Sequence, residues 1–239
     1  MRYFFSSLQK TYEGFLNLFP SYGMVLMFHQ VDNDMERWVD YNGSITLDSF
    51  EIFINELVNM GVDFGQVTEI GSTSMLKNKV YITFDDGYLD TYINAYPILK
   101  MYDIPFCIFI TTGYVNKNNY LNKEMLKTLA SEQLCTIGSH TISHPLLRFE
   151  SEESSYYEIY KSKCILEECL GRAVEYFAFP YGSLYACSKR DIRNAQKAGY
   201  KLAFSTIKSC INDKNIKSKF FLPRININEN NFMKLKVKL

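Results

Sequence analysis

An uninterrupted apolar run, Met24–Phe28, lies between Gly23 and His29-Gln30. A run that is apolar at every position suits a strand buried on both faces, as in a parallel sheet. Further strands are predicted at residues 80–84, Phe106–Ile110, Cys135–Ser139, and residues 176–179, 201–205 and 221–227. Between them the apolar spacing turns helical. Thr46 can cap a helix to about Met60 in which Phe50, Phe53, Ile54 and Leu57 share one face, and Gly61 can end it. Further helices are predicted over residues 89–101, kinked or stopped early by Pro97, over 121–131, over 151–170 up to Gly171, and over 188–198 up to Gly199. A short amphipathic helix is expected in the tail.

Seven or so β/α repeats in series predict an α/β fold with a parallel sheet and helices outside it. The alternation runs through most of the 239 residues, so residues 23–239 read as one domain. Residues 1–22 read separately. Phe4, Phe5, Leu8, Tyr12, Phe15, Leu16 and Phe19 recur at helical spacing, but Lys10 and Glu13 interrupt the run and no small-residue cleavage site follows. The segment makes a poor signal peptide and is too short and charged to span a bilayer. It is expected to be an amphipathic helix, packed on the domain or lying at a membrane interface.

Charge narrows the partners. Lys+Arg and Asp+Glu both number 26, which argues against a nucleic-acid binder held by a basic surface. The lysines of residues 208–219 and 234–238 read as solvated loop and tail. Eighteen Tyr, eighteen Phe and one Trp must mostly be core, with some available to line a sugar-binding groove. Six cysteines without a CxxC pair read as reduced thiols, which suits a cytoplasmic protein, working there or at the inner membrane face. Oligomeric state is not legible.

The chemistry lies just after the strands. Thr83-Phe84-Asp85-Asp86-Gly87 supplies adjacent carboxylates, and His140-Thr141-Ile142-Ser143-His144 holds two of the three histidines. The flanking Gly138-Ser139 and Pro145 place the histidines on a strand-exit loop. Carboxylate and imidazole together suit Zn²⁺, and also Fe²⁺, Co²⁺ or Ni²⁺. Three protein ligands with an open position mark a catalytic rather than a structural site. Neighbouring aspartates point to different sides, so one can bind metal while the other faces a water. His29, Asp85, Asp86, His140 and Pro180 all follow strands, and in a β/α barrel such positions converge on one rim. The polar stretch 32–42, carrying Trp38, reads as an exposed loop over that rim.

These two motifs, with Phe179-Pro180-Tyr181-Gly182, resemble in order the motifs of the polysaccharide deacetylases of the NodB-homology fold. The resemblance spans roughly residues 23–227. It implies a distorted (β/α)7 barrel that removes N-acetyl, or sometimes O-acetyl, groups from sugars. It implies Asp85 as catalytic base, Asp86, His140 and His144 as ligands of one divalent metal, most simply Zn²⁺, and the Tyr181 N–H as oxyanion donor. Pro180, Tyr181 and Trp38 are the expected substrate contacts, with an N-acetylated carbohydrate as partner.

The chain departs from the family pattern twice. The motif-three arginine is replaced by Ala178, and no histidine follows His144 to protonate the leaving amine. His29, in Leu26-Met27-Phe28-His29-Gln30, resembles the early strand-end histidine of poly-N-acetylglucosamine deacetylases and is the candidate acid. Arg224, in Leu222-Pro223-Arg224-Ile225, resembles a late Pro-Arg element and could pair with Asp85. A metallo-amidase for a small amide and an inactive carbohydrate-binding protein are the alternatives on the same fold.

Overall fold

The computed structural model describes residues 23–71, 79–212 and 214–233. The expected helix at residues 1–22 lies outside them, as does most of the expected tail helix.

The strands are β1 (Met24–Phe28), β2 (Asp63–Phe64), β3 (Lys79–Phe84), β4 (Phe106–Ile110), β5 (Cys135–Ser139), β6 (Tyr176–Ala178), β7 (Leu202–Phe204) and β8 (Ile225–Asn226). All pair in parallel, in the order β7-β6-β5-β4-β3-β1-β8, with β2 beside the start of β3. Leu222 bridges to Phe204 of β7, and Ile225 and Asn226 pair with β1. One short segment therefore spans the gap between the first and last strands. The result is the curled, barrel-like sheet expected from the sequence.

Side-chain alternation sorts the core into two layers. Leu26, Phe28, Ile82, Phe84 and Ile108 point outward and pack with Phe50, Phe53, Leu126 and Ile159 of the helices. Val25, Tyr81, Cys107, Phe109, Ala178 and Phe204 point inward and fill the barrel. The two layers explain the continuous apolar runs: every position of β1, β4, β6 and β7 is buried.

The helices are α1 (Leu47–Asn59), α2 (Tyr96–Met101), α3 (Lys123–Ser131), α4 (Glu152–Leu170) and α5 (Lys189–Lys197). Thr46, Asn122 and Ser151 cap α1, α3 and α4 with side-chain oxygens, and Ser188 forms a capping box with Asp191 before α5. Gly171 ends α4 at φ 65°. The expected helix over 89–101 differs in one respect. A π turn, Thr91–Ala95, leads into α2, and the Tyr96 N–H bonds to the Thr91 carbonyl. Pro97 has no N–H to give the preceding turn, and the wider turn lets the chain pass it without a break. Among the described residues no helix is long and apolar enough to cross a membrane.

Candidate active site

Alternation along β3 continues past its end and separates the two aspartates. Tyr81 and Thr83 face the barrel interior, and Asp85 keeps that parity. Asp86 then turns at φ 70°, which redirects its carboxylate toward the loop after β5. There Asp86 Oδ1 lies 3.5 Å from His140 Nε2 and 3.3 Å from His144 Nε2. Donor atoms from all three side chains fall within 4.8 Å of one another.

His140 is fixed by its other nitrogen. Nδ1 lies 2.7 Å from the Ala178 carbonyl, which can only accept. Nδ1 therefore carries the proton and Nε2 presents a lone pair to Asp86. Burial pushes His140 down to about 3 and lowers His144 as well, so both rings are neutral near pH 7. Burial, reinforced by the Asp85 charge, pushes Asp86 up to about 6.

Three electron-rich atoms thus converge, and Asp86 Oδ1 is buried without a hydrogen-bond partner. Such a cluster is unfavourable unless a cation fills it. The one-carboxylate, two-imidazole donor set fits a divalent transition ion.

Asp85 is set apart electrostatically. Arg224 Nη1 and Nη2 donate to its two oxygens at 2.7 Å each. Burial alone would raise the Asp85 carboxyl, but the Arg224 guanidinium on both of its oxygens holds it well below the usual carboxylate range. Arg224 is itself 0% exposed. Its Nε donates to the Ser205 carbonyl at 2.9 Å, Nη1 reaches Thr83 Oγ1 at 3.3 Å, and the guanidinium lies over the Phe109 ring. The arginine missing from position 178 is thus supplied from the start of β8.

His29 follows β1 and faces the same cleft, with Nδ1 buried and unpartnered. Gly43 leaves room for it, because a Cβ there would come within 2.9 Å of the imidazole. Tyr181 follows β6 at φ 58°, and its ring meets His144 edge-on at 4.6 Å. Its N–H makes no hydrogen bond to the described residues. Asp86, Thr141, His144 and Tyr181 account for four of the seven non-glycine residues with positive φ in the described chain. Such backbone costs on the order of 1–3 kcal/mol per residue and clusters where function requires it.

The cleft has a volume of about 620 Å³ and is lined by His29, Asp85, Asp86, His140, His144 and Tyr181 together with Val39, Asp40, Asn42 and three tyrosines. Two expected contacts lie elsewhere. Trp38 is only 8% exposed and is not part of the lining. Its indole N–H donates to the Asp32 carbonyl at 2.9 Å and its ring meets Tyr41, so it anchors the loop whose next residues form the cleft wall. Pro180 is buried, and its carbonyl accepts the Gly182 N–H at 2.7 Å, so it shapes the turn that presents Tyr181.

Sequence reasoning missed Tyr88, Tyr114 and Tyr120. Tyr88 stacks on Tyr120 at 4.9 Å and Tyr114 packs against the same ring at 4.8 Å, which builds one wall of the cleft. Only Tyr88 carried a signal, as the residue next to Asp85-Asp86-Gly87.

A curled parallel sheet thus carries, at its C-terminal rim, a carboxylate–histidine cluster that could hold a metal ion and a second, arginine-clamped aspartate beside it. Residues 72–203 match the polysaccharide deacetylase family, and the chain belongs to it. It is 30% identical over 169 residues to the poly-beta-1,6-N-acetyl-D-glucosamine N-deacetylase of Staphylococcus aureus, covering 65% of this chain and 57% of that protein. The chain spans about half the length of the curated relatives it matches. The fold matches the Streptococcus pyogenes deacetylase PplD, solved in complex with acetate, at TM-score 0.78 and 24% identity over 91% of this chain and 98% of that one. IcaB from Ammonifex degensii gives the same TM-score at 23% identity, over 91% and 97% of the two chains.

Proposed function

We propose that this chain is a metal-dependent hydrolase that removes N-acetyl groups from an N-acetylated polysaccharide. The observation that carries the reading is the meeting, in one cleft, of an arginine-clamped carboxylate and the orphaned Asp86 oxygen facing two neutral imidazoles. Asp86, His140 and His144 would hold the ion, with Zn²⁺ the best match to these donors and Co²⁺, Ni²⁺ or Fe²⁺ acceptable. A divalent ion there supplies Lewis acidity, which acidifies a water and polarises an acyl carbonyl.

Asp85 takes the proton from the attacking water. Arg224 keeps it ionised and fixes its direction, since two parallel hydrogen bonds leave the carboxylate no freedom to rotate. As the acyl carbon becomes tetrahedral, its oxygen gains charge, and the unspent Tyr181 N–H is the donor placed to receive it. His29 donates a proton to the nitrogen as the C–N bond breaks. The products are acetate and a free amine on the sugar.

The names of the relatives support an acyl substrate on a carbohydrate. The cleft supports the same choice over a small amide. It is walled by tyrosines, and Tyr181, 55% exposed, extends the aromatic surface to the rim. Aromatic faces of this kind suit sugar rings, and an open rim lets a chain run on.

The test is released acetate. The protein, loaded with Zn²⁺ or Co²⁺, is incubated with β-1,6- and β-1,4-linked N-acetylglucosamine oligomers and with a small N-acetyl amide. Acetate from an oligomer is expected. Acetate from the small amide alone would point to a metallo-amidase, and none from any substrate would leave a carbohydrate-binding protein on this fold.

A further inference from the structure

The loop that carries both histidines is backbone-strained, with Thr141 at φ 67° and His144 at φ 61°. Something must hold it in place. On one side the Thr112 and Gly113 N–H groups donate to the Thr141 and Ile142 carbonyls at 3.0 and 2.8 Å. That contact is close enough that a Cβ on Gly113 would come within 2.5 Å of the Ile142 oxygen. On the other side stands a single carboxylate, Glu158 of α4. Its Oε2 accepts the Ile142 and Ser143 N–H groups at 2.8 and 2.9 Å, and its Oε1 accepts the Ser143 hydroxyl at 2.8 Å. Inside the loop the His144 N–H reaches Thr141 Oγ1 at 3.1 Å.

We propose that Glu158 is a positioning residue for the metal site. It holds the two consecutive N–H groups between His140 and His144, and so keeps both Nε2 atoms aimed at Asp86. The proposal rests on the metal-site reading above. Its chemistry is specific. Two adjacent backbone N–H groups converging on one oxygen form a small electropositive nest, and only an acceptor at that point satisfies both. Without it, two donors lose their partner and the strained turn loses one of its two braces. Partners that orient metal ligands typically matter by about 10–100-fold in metal affinity.

Glu158→Gln is the informative conservative change. The amide oxygen can take both backbone N–H groups, and the Ser143 hydroxyl can turn to accept from the amide nitrogen. Glu158→Ala removes all three bonds. Glu153→Ala, an exposed residue on the same helix, is the control.

Co²⁺ binding is measured by calorimetry and by the visible spectrum of the bound ion. Glu158→Ala is expected to bind Co²⁺ about 10–100-fold more weakly with an altered spectrum, while Glu158→Gln and Glu153→Ala stay near the wild type. Wild-type affinity and spectrum in Glu158→Ala would overturn the proposal. Should Glu158→Ala not fold, Ser143→Ala, which deletes one of the three bonds, is expected to weaken Co²⁺ binding by a smaller factor, and no change would overturn it.

Amide hydrogen exchange at Ile142 and Ser143 needs no ion. Faster exchange in Glu158→Ala supports the brace and unchanged exchange overturns it. A wild-type protein that binds no Co²⁺ would instead overturn the metal-site reading, whatever the exchange shows.

Discussion

Arg224 grips Asp85 through both carboxylate oxygens, at 2.7 Å each, with neither side chain accessible to solvent beyond 2%. The two residues are 139 positions apart, and closure of the sheet by the segment running from Leu222 to β8 brings them together. The pair couples the integrity of the barrel to the state of the proposed base.

Removing the cation exposes that coupling. Arg224→Ala leaves a buried carboxylate unpaired, and the expected loss of stability is about 3–5 kcal/mol. Because the folded Asp85 pKa is depressed, its contribution is present above the unfolded carboxylate range and disappears as pH falls through and below about 4. Urea unfolding of both proteins at pH 7 and pH 3 checks this. A loss below about 1 kcal/mol at pH 7, the range of an exposed ion pair, would contradict it.

Asp85→Asn keeps the size of the side chain and one acceptor for Arg224 but cannot take up a proton. Ion content is expected to stay at the wild-type level, and kcat is expected to fall by about 10²–10⁴. Elemental analysis beside acetate-release kinetics separates the two effects. Full turnover would remove Asp85 from the role of base.

His29 is the candidate acid because it faces the cleft and its buried Nδ1 has no partner. His29→Ala is expected to lower kcat by about 10²–10⁴ with the ion retained. Hydrolysis of an aryl acetate, whose phenolate leaves the acetyl carbon without protonation, should be spared. An equal loss on both substrates would make His29 a structural residue.

Asp90 gives the opposite pH signature to Asp85. Burial pushes its carboxyl up to about 7, against hydrogen bonds from the Val31 backbone and Gln30. The folded state therefore holds a proton between about pH 4 and 7 that the unfolded chain has released. Stability falls as pH rises through that window, by at most about 1.4 kcal/mol per pH unit from this group. Asp90→Asn should remove this slope, so that its stability relative to the wild type increases from pH 5 to pH 8. An unchanged difference between the two proteins across that range would mean that Asp90 is ionised throughout.

The sheet and the metal-site cluster were legible for the same reason. Strands buried on both faces leave continuous apolar runs, and groups at their C-terminal ends must share a rim. Hence Asp85, Asp86, His140 and His144 could be placed together before any geometry was known. Arg224 was reachable only by resemblance, since nothing in its local spacing records a partner 139 positions away. Trp38 misled because a polar stretch reads as exposed, whereas its indole N–H finds a backbone carbonyl and the ring turns inward. Tyr114 and Tyr120 left no trace, because aromatic residues are so abundant in this chain that composition cannot separate wall from core.

The central claim is that the Asp86, His140 and His144 cluster holds an ion on which deacetylation depends. Acetate release from an N-acetylglucosamine oligomer, by protein stripped with a chelator and then titrated with Zn²⁺, tests it most directly. The expected result is no release from the stripped protein, recovery in proportion to ion added up to one per chain, and none from the variant with His140→Ala and His144→Ala together. Undiminished release by the stripped protein or by the double variant would contradict it.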